Sequence, residues 1–372
     1  MSPRRRRIFL ILKLLVAVGF ILWLVRSGKI DVREIKKVGE GWPWLAAALV
    51  PYGLVLGLCA YRWKLLLKAQ DIDYSTHDAF ALTMVGHFFN QFLLGTTGGD
   101  VVKAYSLAME QRGKRSAAVM SVFVDRAVGL LVLVGVALLA IPFNLERILA
   151  HPYLRYLAGM VVCVFVGSLV AGYFFFSARI RSLRLVRSLL ERLPLRKVAG
   201  QISQAIYVYK LHPRVVIAAV LSSLGVHVLV VLMHLLLARA LCSEEISWGA
   251  FFFLVPIAQI AIAIPLQPPG ALGTGEWVYA TLLPMAGVPE NQGALVCILQ
   301  RLVYYAWALL GCAYYLRRRA RVDQAVHEAE VDDEARQGAE DSLADRPGGL
   351  GGDADPSHGD RGVRPRVDSS AV

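Results

Sequence analysis

The chain has 372 residues, of which 56% are hydrophobic and 18% are charged, and its formal net charge is +12. Soluble domains are usually about 45–50% apolar and about 25% charged. The composition therefore argues against an ordinary soluble enzyme, a disulfide scaffold or a disordered protein. We expect an all-α fold, that of a polytopic helical membrane protein.

Six apolar stretches are long enough to cross a bilayer, which takes about 20 residues as a helix. The predicted spans are Ile8–Val25, Trp44–Tyr61, Val119–Ile141, Tyr156–Phe176, Val215–Leu237 and Leu295–Leu316. Four arginines precede the first span, and no small-residue cleavage site follows it. This pattern predicts an uncleaved signal anchor.

The loop charges predict the orientation, because Lys and Arg concentrate in cytoplasmic loops. Ser177–Arg214 holds nine Lys/Arg and one acid, and three arginines, Arg317–Arg319, follow the last span. We therefore expect a multi-pass protein of the cell membrane with both termini in the cytoplasm. The segment Arg26–Lys37 does not fit this orientation, because its five Lys/Arg would lie outside the cell.

The last part of the chain differs in charge from the rest. Residues 1–321 hold 35 Lys/Arg and 15 Asp/Glu, whereas residues 322–372 hold 5 and 13. The second segment lacks aromatic residues and cannot bury a core. We expect a membrane domain over 1–321 and a disordered acidic cytoplasmic tail over 322–372. The positive charge flanks the spans, so no nucleic-acid partner is expected.

The same order of features occurs twice in the chain. A short apolar segment is followed by a glycine-rich break that ends in an acid. A second short apolar segment and a span with an arginine come after it. Asp100 precedes Arg126 by 26 residues, and Glu276 precedes Arg301 by 25. The short segments are Phe80–Leu94 with Val101–Met109, and Phe251–Leu266 with Trp277–Ala286. We interpret these as an internal repeat, about 80–141 and about 251–316.

The loop charges give the two copies opposite orientations. The expected architecture is thus about six full spans plus two broken-helix hairpins, about eight membrane segments in all, forming an inverted repeat. Inverted repeats with Gly/Pro-broken helices that meet near the midplane are typical of transporters.

The breaks predict an anion site. A helix that begins after a break exposes N–H groups, which favour phosphate or carboxylate, and an arginine adds a bidentate phosphate ligand. The predicted substrate-binding residues are Gly98, Gly99, Asp100, Lys103, Arg126, Gly273, Gly275, Glu276 and Arg301. In the alternative interpretation, the two acids only cap helices, the two arginines pair with them structurally, and Lys103 is a lysine of the cytoplasmic interface. Asp125 is a candidate for proton coupling, or it offsets Arg126.

Other polar residues receive structural interpretations. Arg62 ends the second predicted span and is expected to snorkel. His227 and His234, two helical turns apart, are expected to pack in the interior rather than to relay protons or bind metal. Asn90 and Gln91 are expected to satisfy backbone groups freed by the first break. The five cysteines form no CxxC pair, and neither a metal nor a cofactor is predicted.

The segments Phe89–Tyr105, Asp125-Arg126 and Pro269–Glu276 resemble the lysylphosphatidylglycerol synthase transmembrane-region family, also called flippase-like. The resemblance covers roughly Ile8–Arg319. It implies an integral membrane module that moves lipids between leaflets. The two-part synthases of the family add a C-terminal aminoacyltransferase domain. This chain has about fifty residues after its last span, so we expect no synthase activity and no enzyme.

The leading functional hypothesis is a lipid transporter that moves an anionic (phospho)lipid between leaflets by alternating access. No GxxxxGK[ST] motif is present, so the movement would be downhill or ion-coupled. One alternative is a non-catalytic membrane partner of envelope or lipid-synthesis enzymes. Another is a lipid-phosphate transferase. The Asp71–Asp73 DxD string is of the kind that metal-nucleotide transferases use, but it lies in a short loop without a nucleotide fold beside it and is interpreted as a coincidence.

Overall fold

The computed structural model describes residues 39–92, 98–176, 207–242, 246–263 and 271–317, and the regular elements within these ranges are all helical. In chain order, the helices are α1 Trp42–Ala69, α2 Thr76–Phe92, α3 Gly98–Glu110, α4 Arg115–Ala140, α5 Leu145–Ala150, α6 Pro152–Phe176, α7 Pro213–Arg239, α8 Trp248–Ile262, α9 Thr274–Leu282 and α10 Gly293–Arg317. Single 3₁₀ turns join some of them, at Arg112–Lys114, Pro142–Asn144 and Leu283–Ala286.

Five of these helices, α1, α4, α6, α7 and α10, are long and apolar enough to cross a membrane. At a rise of about 1.5 Å per residue, helices of this length exceed or approach the roughly 30 Å hydrocarbon core. Five of the six predicted spans are therefore confirmed as helices. The sixth, Ile8–Val25, lies outside the described residues. The chain is a polytopic helical membrane protein.

Local sequence signals explain where several helices begin. Pro43 and Pro213 lie in the first turns of α1 and α7, where the fixed φ of proline suits a helix and its missing N–H is not needed. Ser247 precedes α8 and accepts a hydrogen bond from the Ala250 N–H at 3.5 Å, so it serves as the N-cap.

The two short apolar segments form the expected helix pairs, α2 with α3 and α8 with α9. Their helices have 17, 13, 15 and 9 residues, too few in most cases for a straight crossing. Residues 95–97 of the first glycine-rich break and 268–270 of the second lie outside the described ranges, as do most of the basic loop Ser177–Arg214 and the whole tail 322–372. The inverted symmetry of the two copies stays a prediction.

Glycines allow the close packing that shapes the interior. A Cβ at Gly99 of α3 would overlap the carbonyl of Gly86 in α2, so these helices cross where neither residue has a side chain. Gly311 of α10 likewise lies against the backbone of Met84 in α2. Small residues at membrane helix interfaces permit such approaches. The last span thereby packs directly on the first hairpin.

The outer faces of the spans carry apolar side chains. Leu139 and Leu309 are 68% and 70% exposed in the isolated chain. Large exposed apolar surface is unfavourable in water and is expected where a helix faces lipid tails. The interior instead holds a set of buried charges, which define the candidate site.

Candidate functional site

A cavity of about 260 Å³ lies where the two predicted repeats meet. Its walls come from α1, α2, α3 and α4 on one side and from α8, α9 and α10 on the other. Polar residues from both halves line it: Arg62, Asn90, Gln91, Asp100, Lys103, Asp125 and Arg126, with Gln259, Gln300 and Arg301. We call this the central cavity.

Six of the ten residues singled out as site candidates from the sequence line the central cavity: Asp100, Lys103, Asp125, Arg126, Gly275 and Arg301. Glu276 lies behind Arg301, to which it is paired. Gly98, Gly99 and Gly273 are not among the lining residues. Gly99 forms the helix crossing, and Gly273 precedes α9 with φ 85°.

Arg126 and Asp100 form a two-point ion pair. Arg126 Nη2 donates to Asp100 Oδ1 at 2.9 Å, and Arg126 Nε contacts Asp100 Oδ2. The Arg126 side chain is 45% exposed and that of Asp100 is 18% exposed. Arg126 and Asp100 are therefore paired, as in the structural alternative. The Arg126 guanidinium nevertheless remains accessible.

Arg301 and Glu276 form a second pair that is closed. Arg301 donates to both carboxylate oxygens of Glu276, at 2.8 and 3.0 Å, and to the Ala271 carbonyl at 2.9 Å. Glu276 also accepts from the Gly273 N–H at 2.7 Å, which makes it a capping carboxylate for α9. Both side chains are buried. Glu276 therefore has the contacts expected of a helix cap, as in the alternative interpretation.

Asp125 pairs with Arg62, not with Arg126. Arg62 Nε donates to Asp125 Oδ1 at 2.7 Å, and Arg62 Nη1 donates to Ser223 Oγ at 2.7 Å. The expectation that Arg62 snorkels is wrong, because α1 continues to Ala69 and leaves Arg62 about two turns inside the helix. A proton-coupling role for Asp125 stays a prediction.

Lys103 is the unusual cation of the site. The residue is 5% exposed, and its Nζ lies 3.7 Å from the centroid of the Trp63 ring. Among the described residues it forms no hydrogen bond or ion pair. Arg62, Arg126 and Arg301 each have a carboxylate partner. The described part of the site thus holds four cations and three carboxylates, and Lys103 carries the excess charge.

The amide and histidine side chains near the cavity have structural partners. Asn90 Oδ1 accepts from the Gly99 N–H at 2.7 Å, which confirms that Asn90 satisfies the backbone next to the break. His227 donates from Nε2 to the Gly129 carbonyl at 3.0 Å. His234 donates from Nδ1 to the Val230 carbonyl at 2.7 Å. The two histidines are packed as expected, and no cluster of metal-binding side chains occurs among the described residues.

Sequence reasoning missed one cross-link between the halves. His87 of α2 donates from Nε2 to the Tyr304 carbonyl of α10 at 3.0 Å, and its Nδ1 lies 3.3 Å from the Tyr52 hydroxyl. Tyr52 and Tyr304 stack with ring centroids 4.3 Å apart. A single histidine in an apolar helix gives no local signal for such a contact.

The fold and site define a polytopic helical membrane protein with a cavity between two helical hairpins, and the described residues of this cavity carry a net positive charge. The family described as "Lysylphosphatidylglycerol synthase TM region" matches residues 10–311, and the chain belongs to this family. It is also 22% identical over 310 residues to a "UPF0104 membrane protein" from Methanothermobacter thermautotrophicus, with 78% of this chain and 88% of that protein covered. No solved structure matches the chain.

Proposed function

We propose that this protein is a flippase-like transporter that moves an anionic (phospho)lipid between leaflets of the cell membrane by alternating access. The proposed function includes no enzymatic activity. Its termini lie in the cytoplasm, and the lipid headgroup binds in the central cavity. The observation that carries the proposal is the buried Lys103, which lines this cavity without a carboxylate partner among the described residues.

A buried ammonium without a direct ion pair is unfavourable, because removal from water costs several kcal/mol. The Trp63 ring recovers part of this cost through a cation–π contact, typically about 0.5–2 kcal/mol. A bound phosphate would supply the missing negative charge. Arg126 lies on the same cavity, and its exposed guanidinium adds a second donor to phosphate oxygens.

The arrangement of the hairpins supports transport over static binding. The cavity lies between elements of the two halves, and α10 of the second half contacts α2 of the first through Tyr304 and His87. A site at the interface of two broken-helix units is the arrangement in which one unit can rock against the other. The family membership is consistent with a membrane module that handles lipids.

The test is leaflet exchange in vesicles that contain the purified full chain. Fluorescent phosphatidylglycerol, aminoacyl-phosphatidylglycerol and polyprenyl-phosphate probes are compared. Lys103→Met should lower exchange of the transported probe about tenfold or more, because a charge-assisted hydrogen bond of about 1.5–3 kcal/mol is lost. Lys103→Arg should retain more exchange than Lys103→Met.

Lys64→Met is the matched control, because the Lys64 ammonium is exposed and bonds Thr76 at 2.6 Å outside the cavity. It should exchange lipid like the wild type. If folded wild-type protein exchanges none of the three probes, or if Lys103→Met and Lys64→Met behave alike, the proposal fails.

A further inference from the structure

A second cavity, of about 230 Å³, adjoins the central cavity. Both cavities are lined by Tyr52, Val55, Cys59, Arg62, Arg126, Gln259, Ile262 and Tyr304. The remaining walls come mainly from α4 and α7: Gly129, Leu130, Leu133, Val226, His227 and Val230, with Ala263. We call the space within these remaining walls the side chamber.

The side chamber is an apolar space beside a charged one. Among its own wall residues that the structure describes, His227 is the single titratable side chain, and its Nε2 donates to the Gly129 carbonyl at 3.0 Å. The other walls offer hydrocarbon and backbone. Such a surface favours apolar groups and gives no charged ligand to a phosphate.

The side chamber also reaches the outer surface of the helices. Leu130 lines it and is 45% exposed. Because it shares Arg126 with the central cavity and is lined by residues of α4 and α7, the side chamber extends the central cavity toward these two helices. A different apolar groove, lined by Trp42, Leu45 and Leu302 among others, shares no residue with the central cavity and lacks this continuity.

We propose that the side chamber binds the hydrocarbon chain of the lipid whose anionic headgroup occupies the central cavity. This inference rests on the proposed function and adds a second, apolar half to its site. Arg126 lines both cavities and marks the junction, where the phosphate of an amphiphile meets the start of its chain. The occupant is a phosphate-bearing lipid rather than a free phosphate, which would leave the side chamber unused.

The experiment is photolabelling in phosphatidylcholine vesicles that contain the full chain. The probe is phosphatidylglycerol with a diazirine near the carbonyl end of one acyl chain, and labelled peptides are mapped by mass spectrometry. We expect labelling at the chamber walls, around Gly129–Leu133 and Val226–Val230. Leu139, which is 68% exposed on the same helix α4, reports ordinary contact with bulk lipid.

Two kinds of variant test whether chamber labelling depends on headgroup binding and on the free volume of the side chamber. Lys103→Met should reduce chamber labelling about tenfold, as expected when one charge-assisted hydrogen bond is lost, and leave labelling near Leu139 unchanged. Gly129→Leu should fill the chamber and also reduce labelling there. A Cβ at Gly129 approaches the Arg62 guanidinium at 3.5 Å, an ordinary contact, so the helix accommodates the first carbon of the new side chain.

Gly135→Leu is the matched control, because a Cβ at this position of α4 meets no atom within 4 Å. Val230→Phe tests the opposite wall if Gly129→Leu does not fold. The inference is overturned if the chamber walls are labelled no more than the region near Leu139, or if Lys103→Met leaves chamber labelling unchanged. Lys103-dependent exchange without chamber labelling would overturn the inference alone, whereas chamber labelling without any exchange would overturn the proposed transport.

Discussion

Arg301 holds Glu276 through two hydrogen bonds, at 2.8 and 3.0 Å, and both side chains are buried. The corresponding arginine of the first half, Arg126, holds Asp100 but remains 45% exposed. Two pairs with nearly the same sequence spacing therefore differ in environment. Both arginines line the central cavity, but the Arg301 pair is buried against the first turn of α9, whereas the Arg126 pair is partly exposed.

The closed pair predicts a large stability effect at Arg301. Arg301→Met leaves Glu276 buried without its cation, which should cost about 3–5 kcal/mol. Arg301→Met combined with Glu276→Gln should recover much of this loss, because no charge remains buried. Thermal unfolding in detergent measures the effect, with Arg317→Met at the exposed end of α10 as the control. An unchanged melting temperature for Arg301→Met would contradict a structural role.

Part of the fold and of the site follows from local sequence patterns. The spans follow from unbroken apolar runs, and the acid–arginine pairs follow from their recurrence at 26 and 25 residues. The apolar run predicts the span up to Tyr61 but not the helical continuation beyond it, because Arg62 and the lysines after it lower the local hydropathy. The chain continues as helix through Arg62 to Ala69, and the buried Arg62 guanidinium is neutralised by Asp125, 63 residues away. Such a distant partner leaves no local signal.

Arg62 predicts a test of geometry at constant charge. Its Nε and Nη1 bond two different groups, Asp125 and Ser223, and a single ammonium cannot reproduce this fork. Arg62→Lys should therefore cost about 1–3 kcal/mol in stability, and Ser223→Ala about 1 kcal/mol.

Because both changes remove the same bond, the double variant should lose less than the sum of the two single losses. Thermal unfolding of the three variants completes this cycle. Strict additivity would show that Arg62 and Ser223 are not energetically coupled.

The crossing of α2 and α3 predicts a strong effect of a single methyl group. In Gly99→Ala the new Cβ would overlap the Gly86 carbonyl, so the two helices must separate, at a cost of about 1–3 kcal/mol or more. Lipid exchange should fall as well, because α3 carries Asp100 and Lys103.

Gly57→Ala provides the comparison for this crossing. Its Cβ meets no atom within 4 Å, and replacing a helical glycine should be neutral or stabilise by about 0.5–1 kcal/mol. Unfolding temperatures and exchange rates of the two variants decide the point. Equal behaviour of Gly99→Ala and Gly57→Ala would show that the crossing is not tightly packed.

Asn90 allows stability and transport to be separated. Its Oδ1 accepts the Gly99 N–H at 2.7 Å at the start of α3, so Asn90→Ala should cost about 0.5–2 kcal/mol, as for the loss of a helix cap. Asn90→Asp keeps an acceptor and places negative charge at a helix N-terminus, which is favourable. That carboxylate would also lie on the central cavity, where it offsets the excess charge of Lys103. Asn90→Asp should thus unfold near the wild-type temperature yet exchange anionic lipid more slowly than Asn90→Ala. Exchange by Asn90→Asp at the wild-type rate would show that the excess charge does not drive headgroup binding.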